Sequence, residues 1–149
     1  DSNKSLLKAM RASHEGPVLW MNGDVVFEPE ILTRLIPYID KGQTAIAVNT
    51  AQVSDEEVKY TVDANGMVKE LSKTVVGGLG ESVGINVIAA ADKANFIKRL
   101  DECHEQDYFE RGLELSIEHD GLQIVPVDIS DLFAVEVDFE ADLERANDR

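Results

Sequence analysis

The sequence predicts one α/β domain, a mainly parallel sheet covered by helices and interrupted by an antiparallel hairpin. Three observations carry this. Short, wholly apolar strands, Val18 to Met21 and Thr44 to Thr50, flank a stretch with helical spacing, and such runs want burial on both faces. The segment "VKYTVDANGMVKELSK" alternates around Asn65-Gly66, the strongest short hairpin signal. Hydrophobic residues make up 44% of 149 residues, with no internal repeat or linker, enough for one sizeable core.

The elements follow in order. Leu6, Leu7 and Met10 fall on one helical face, with Ser2 or Asn3 as N-cap and a stop near Gly16-Pro17. After the Val18 to Met21 strand, Glu28-Pro29 opens a helix with Pro29 in its first turn. Its apolar face is Ile31, Leu32, Leu35, Ile36 and Ile39, with Pro37 as a kink or early end and Gly42 as the stop. "TAIAVNT" is the next buried strand, so strand, helix, strand predicts a parallel crossover unit. In the hairpin, Val58, Tyr60 and Val62 face one way. "VVGGLGES" is a glycine-rich loop without the Lys-Ser/Thr of a triphosphate loop or the spacing of a dinucleotide fingerprint. The strand "VGINVIAA" follows, then the helices "ADKANFIKRLDECHE" and "DYFERGLELSIEH", the second ended by Gly121. "LQIVPVDI" and "LFAVEVD" read as strands and "FEADLERAND" as a closing helix.

Charge narrows the function classes. A net charge of -15 disfavours nucleic-acid polymers, which want a basic face, and anionic membrane surfaces. A small anionic substrate remains compatible where a metal ion or local lysines bridge to it. No apolar run approaches the roughly 18 residues of a membrane span, and no segment has a signal-peptide pattern. The single cysteine, Cys103, excludes an internal disulfide and fits a cytoplasmic setting.

The stretch "VLWMNGDVVF" stops being apolar at Asn22-Gly23-Asp24 and then resumes. Burying an unpaired carboxylate costs several kcal/mol, roughly, so Asp24 stands at an exposed strand end or has a cationic partner. In "VEVD", Glu136 and Asp138 alternate with valines, which places them on one face about 7 Å apart. Sites in open α/β sheets gather beyond the carboxyl ends of strands. If the two strands are parallel neighbours, Asp24, Glu136 and Asp138 converge there, and a hard cation such as Mg²⁺ relieves their repulsion. The alternative is that Asp138 only caps the last helix. Lys73 closes the hairpin, where it either meets a phosphate or is solvated. Glu81 sits where the glycine-rich loop enters a strand, a place suited to binding or to turn geometry alone. Cys103, His104 and His119 lack metal-ligand spacing. No serine stands in a nucleophile elbow, and Trp20 reads as core.

Taken in order, "NKSLLKAM", "VLWMNGDVVFEPEIL", "DANGMVKELSK", "GESVGI", "DYFERGLELSI" and "VEVDFEADLERA" resemble the later two-thirds of the sugar-phosphate nucleotidyltransferase-like enzymes. The branch resembled includes the phosphocholine and inositol-1-phosphate cytidylyltransferases. The resemblance implies a Rossmann-like, GT-A-type sheet with helices on both faces. It also implies a reaction in which an acceptor phosphate attacks the α-phosphorus of a nucleoside triphosphate, CTP favoured, and pyrophosphate leaves. Mg²⁺ would be the cofactor. By the same resemblance Asp24 and Asp138 match the metal aspartates, and Glu136 the acid two before the second. Lys73 matches the catalytic lysine approaching the acceptor phosphate. Glu81, with Asn22 beside Asp24, falls at the substrate. Phe133 stands where this branch often has tryptophan.

One departure is large. The family's first strand carries Gly-x-Gly-x-Arg followed by Pro-Lys, and nothing like it occurs in these 149 residues. The chain is therefore expected to be a single nucleotidyltransferase-like domain, residues 1 to 149, lacking the N-terminal nucleotide-binding part. It would be either a fragment of a longer enzyme or a shortened relative, weak or inactive alone. Such a domain exposes a sheet edge through which a homodimer is expected. The rival reading is a non-catalytic domain that binds a nucleotide or a protein partner.

Overall fold

The structure is a computed structural model that describes residues 2–51 and 53–136. The elements are α1 (Ser2–Ala12), β1 (Val18–Met21), β2 (Val25–Phe27), α2 (Glu30–Asp40), β3 (Thr44–Asn49), β4 (Lys59–Val62), β5 (Val68–Ser72), β6 (Gly80–Ile88), α3 (Ala90–Glu102), α4 (Phe109–Asp120), β7 (Ile124–Asp128) and β8 (Ala134–Glu136). The main sheet has the order β5-β4-β6-β3-β7, and β1 also pairs with β6. A second ribbon joins β2 to β8.

β6 organises the sheet. All its residues are buried. One edge pairs with β3; on the other, β4 takes Gly80 and Glu81 while β1 takes Ile85 to Ile88. β1, β3 and β4 all run against β6, and β7 runs with β3. These four strands therefore share one direction, opposed by β5 and β6. The mainly parallel expectation holds for direction, but among the described strands only β3 and β7 are parallel neighbours. The crossover from β1 through α2 to β3 does not close on an adjacent strand, because β6 lies between them. The hairpin explains this. β5 turns the chain back, so β6 enters along the far edge of β4 in the β5 direction.

Helices cover both faces, as expected. α1, α3 and α4 bury Leu6, Leu7, Met10, Phe96, Leu100, Phe109 and Leu113 against Ile46, Val48, Tyr60 and Ile88. On the other face α2 places Ile31 and Leu35 over Ala45, Ala47, Ile85 and Val87, joined by Val25, Phe27 and Ala134 of the β2–β8 ribbon. Val58, Tyr60 and Val62 share the first of these faces.

Several boundaries differ from expectation, each for a physical reason. α1 ends at Ala12, short of Gly16-Pro17. Asn3 is no N-cap; its amide is buried and donates to the carbonyls of His104 and Asp107. α2 runs through Pro37 to Asp40 before Gly42 takes a positive φ of 70°. The proline forfeits one hydrogen bond, and the burial of Ile31 and Leu35 holds the helix. β6 begins at Gly80, recruiting "GES" from the expected loop. Gly121, with φ 68°, ends α4 as expected. The closing helix lies outside the described residues. No helix among the described residues is long and apolar enough to cross a membrane.

Candidate functional site

Asn22, Gly23 and Asp24 form the turn between β1 and β2, where the Val25 N–H donates to the Asn22 carbonyl at 3.2 Å. Asp24 is exposed, so its carboxylate keeps its hydration and needs no buried cationic partner. The backbone around it is held firmly. The Asn22 N–H donates to the Gly84 carbonyl at 2.9 Å. Gly84 has φ +83°, and a Cβ there would lie 2.7 Å from Asn22 Nδ2. Between the pairs Ile46–Asn86 and Val48–Ser82 the register slips, so β6 bulges around Gly84. The bulge brings β6 against the Asp24 turn.

β8 approaches the same turn. Val25 is paired with Glu136 in an antiparallel register. The parallel-neighbour condition for convergence is not met here. The short return through Asn22–Asp24 starts a new strand, β2, that pairs across to β8. The antiparallel register still places Asp24 and the backbone of Glu136 at one end of the ribbon. The Glu136 side chain and Asp138 lie outside the described residues. At the other end, Glu28 accepts from the Phe133 N–H at 2.9 Å and donates its own N–H to the Phe133 carbonyl, fixing the register.

Glu81 sits three residues before Gly84 on β6, about 10 Å away at strand spacing. It is buried, and its Oε2 accepts from the Ser54 N–H at 2.7 Å. Lys73 lies just beyond β5 and is exposed, with Nζ 4.8 Å above the Tyr108 ring, a cation–π geometry. Asn22, Asp24 and Glu81 are thus tied to β6, whereas Lys73 sits outside it, toward the loop before α4. Lys59, which sequence reasoning passed over, links the last two. Its ammonium donates to the Lys73 carbonyl at 2.7 Å and to the Ser54 carbonyl at 3.2 Å. Its position between Val58 and Tyr60 puts it on the other face of the strand from them, and that alternation by itself signals no buried cation. Gly84 was also passed over, although a lone glycine inside an apolar strand is itself a signal of a bulge or a close backbone approach.

Comparison with known proteins is informative for structure alone. No protein-family model and no curated protein matches this chain. Among solved structures, the inositol-1-phosphate CTP transferase from T. maritima superposes over 97% of this chain and 59% of its own, with a TM-score of 0.73 and 16% identity. The CTP:phosphocholine cytidylyltransferase from Streptococcus pneumoniae does so over 99% and 63%, with a TM-score of 0.71 and 11% identity. The UTP-bound UGPase from Acinetobacter baumannii covers 97% and 54%, with a TM-score of 0.68 and 14% identity. The chain has a nucleotidyltransferase-like fold. It spans less than two thirds of the length of each of these structures.

Within this nucleotidyltransferase-like fold the remaining candidates have structural roles. Trp20 stacks on Phe96 at 5.5 Å and meets Phe109 edge-on at 5.7 Å, which places it in the core. Cys103 is buried, and burial followed by the nearby Asp107 pushes its thiol pKa up, the reverse of a ligand or nucleophile. Among the described residues no three His, Cys, Asp or Glu side chains are grouped to hold a metal. That set does not include Asp138.

Proposed function

We propose that this chain supplies the metal and acceptor side of a Mg²⁺-dependent nucleotidyltransferase. CTP is the favoured donor and a phosphorylated small molecule the acceptor, in a reducing cytoplasm. The observation that carries the reading is the antiparallel β2–β8 register, which sets Val25 opposite Glu136 beside the exposed Asp24 turn. The solved structures of similar fold support it, since they are named as a CTP transferase, a CTP:phosphocholine cytidylyltransferase and a UTP-bound UGPase.

In the proposed reaction an acceptor phosphate oxygen forms a bond to the α-phosphorus. The bond from that phosphorus to the β-bridging oxygen breaks, and pyrophosphate leaves with the electron pair. Such chemistry is mostly positioning and charge neutralisation. Asp24, Glu136 and Asp138 are the proposed metal ligands. Carboxylate oxygens in a partly hydrated setting suit Mg²⁺, which keeps several waters. Lys73 faces the acceptor phosphate, and Asn22 and Glu81 the substrate. The 149 residues hold no Gly-x-Gly-x-Arg signature, so the chain alone should turn over weakly or not at all. A homodimer through the edge of β1 left unpaired among the described residues belongs to the same proposal.

Mn²⁺ titration of the ¹⁵N-labelled chain tests the metal ligands. Paramagnetic broadening centred jointly on residues 23–25 and 136–139 is the expected result. Broadening spread over the acidic surface would remove the metal site, leaving a non-catalytic nucleotide- or partner-binding domain. Robust pyrophosphate release by the purified chain would overturn the expectation of weak turnover.

A further inference from the structure

Lys59 is a charged residue in a place that should repel one. It lies on β4 with only 4% of its surface exposed. Burying an ammonium ion costs several kcal/mol, roughly, unless its protons are satisfied. Here backbone carbonyls do so. Nζ reaches the oxygens of Ser54 at 3.2 Å, Asp55 at 3.4 Å, Glu57 at 3.1 Å and Lys73 at 2.7 Å. An ammonium has three protons, so four acceptors share them. The acceptors belong to two separate segments, the loop before β4 and the turn after β5.

The network continues to Glu81. Ser54 offers its carbonyl to Lys59 and its N–H to Glu81 Oε2. Lys59 and Glu81 are also cross-strand partners, so their side chains leave the sheet on the same face. That face is opposite the one Tyr60 buries in the helical core. The glycine-rich segment packs over the stem: a Cβ at Gly78 would lie 2.9 Å from Lys59 Cβ. A single buried cation therefore ties Lys73, Ser54 and Glu81 into one unit.

We infer that Lys59 is a positioning residue that fixes the separation of Lys73 from Glu81 and so the geometry of the acceptor-phosphate subsite. This rests on the proposed roles of Lys73 and Glu81 at the acceptor. A phosphate ester with a polar or cationic body needs a cation and a carboxylate at a set distance. A turn residue such as Lys73 does not keep a set distance from a strand residue such as Glu81 without a tie.

The test compares the ¹⁵N-labelled chain with its Lys59→Met and Lys59→Arg variants. Without ligand, Lys59→Met should speed exchange of the Ser54 amide and shift the Lys73 and Glu81 amides together, with Ile46 and Ile88 unchanged. Titration with choline phosphate should then show binding about tenfold weaker, the scale of one lost charge-assisted hydrogen bond. Lys59→Arg, which keeps charge and donors, should recover part of both effects. Unchanged Ser54 exchange in Lys59→Met, or unchanged affinity once the loops have loosened, overturns the inference. If the parent chain gives no choline phosphate response at Lys73 and Glu81, the acceptor reading and the subsite role both fail, and exchange alone still decides the coupling. If Lys59→Met does not fold, the parent chain decides. A through-hydrogen-bond coupling from Lys59 Nζ to the Lys73 carbonyl carbon supports the tie, and a freely rotating, fast-exchanging ammonium refutes it.

Discussion

Gly84 shows how a position with no side chain can set a site. Its φ of +83° is a conformation that costs an L-residue about 1–2 kcal/mol, and its missing Cβ leaves room for the Asn22 amide. Gly84→Ala should therefore lower stability by about 1–2 kcal/mol in urea unfolding. It should also move the Asn22 to Asp24 amide resonances, because the Asn22 amide must yield. Adding Asn22→Ala separates the two effects. It should restore the resonances of the turn's neighbours but not the stability lost to backbone strain. Restoration of both would mean that contact alone set the cost. Asn86 and Trp20 pose a different problem at the same scale. They are cross-strand partners, and Trp20 Nε1 and both Asn86 amide atoms are buried without hydrogen-bond partners among the described residues. In the sequence, "VGINVIAA" reads as a strand, and strand periodicity says nothing about whether a buried amide finds a partner.

Elements are held by contacts that cross the sheet rather than by their own ends. α3 starts at Ala90, and its N-cap residue, Ala89, offers no side-chain cap. The cap comes from β3: the Thr44 hydroxyl accepts from the Ala89 N–H at 2.9 Å and donates to Asp92 Oδ2 at 2.7 Å. Thr44→Val keeps the shape and removes both bonds. It should cost about 1–2 kcal/mol, and calorimetry showing no loss would refute the borrowed cap. α2 is tied to the loop after β7 in another way. Arg34 grips Asp131 at 2.6 and 2.5 Å and also reaches the Asp128 carbonyl. The Arg34 hydrogen bond holds the Asp131 carboxyl down at about 2. The folded pKa lies below the unfolded value of about 3.9, so the tie is complete above that value and is lost as pH falls through about 2. A carboxyl ¹³C titration should place Asp131 there, with α2 amides following the same midpoint and Asp131→Asn abolishing the step. These ties also mark the limit of legibility. Local periodicity revealed the helices, the hairpin and the glycine stops, since each depends on residues near in sequence. It did not reveal that β6 separates β1 from β3 or that β2 pairs with β8 antiparallel. Those depend on which distant edges are free when each strand arrives. Asp24 and Glu81 were legible as carboxylates interrupting apolar or glycine-rich patterns, whereas Lys59 fits the period-two alternation of its hairpin and so carries no local signal.

At the scale of the molecule, charge and the open edge oppose each other. Each copy carries a net charge of -15. β1 is hydrogen-bonded to β6 on one side, and Met21 and Val26 beside the Asp24 turn expose 38% and 41% of their surface. A strand edge next to apolar side chains favours association, whereas like charge on two copies resists it. Salt decides between them. The screening length is about 30 Å at 0.01 M and about 8 Å at 0.15 M, so the first leaves two small domains repelling across a contact and the second largely removes that repulsion. The proposed edge dimer should therefore be weak at low ionic strength and strengthen with sodium chloride, as read by sedimentation velocity at one protein concentration. The salt effect should saturate once the screening length falls below the separation of the facing charges, because the apolar and backbone contributions do not depend on it. Met21→Lys, at the exposed end of β1, separates an edge contact from general screening. Met21→Pro is the companion change: the Asn22 N–H bonds Gly84 of β6, so by alternation the Met21 N–H faces away from β6, and proline removes that donor without adding charge. If both variants dimerise like the parent at every salt concentration, association does not use β1. A parent chain that stays monomeric throughout overturns the dimer itself.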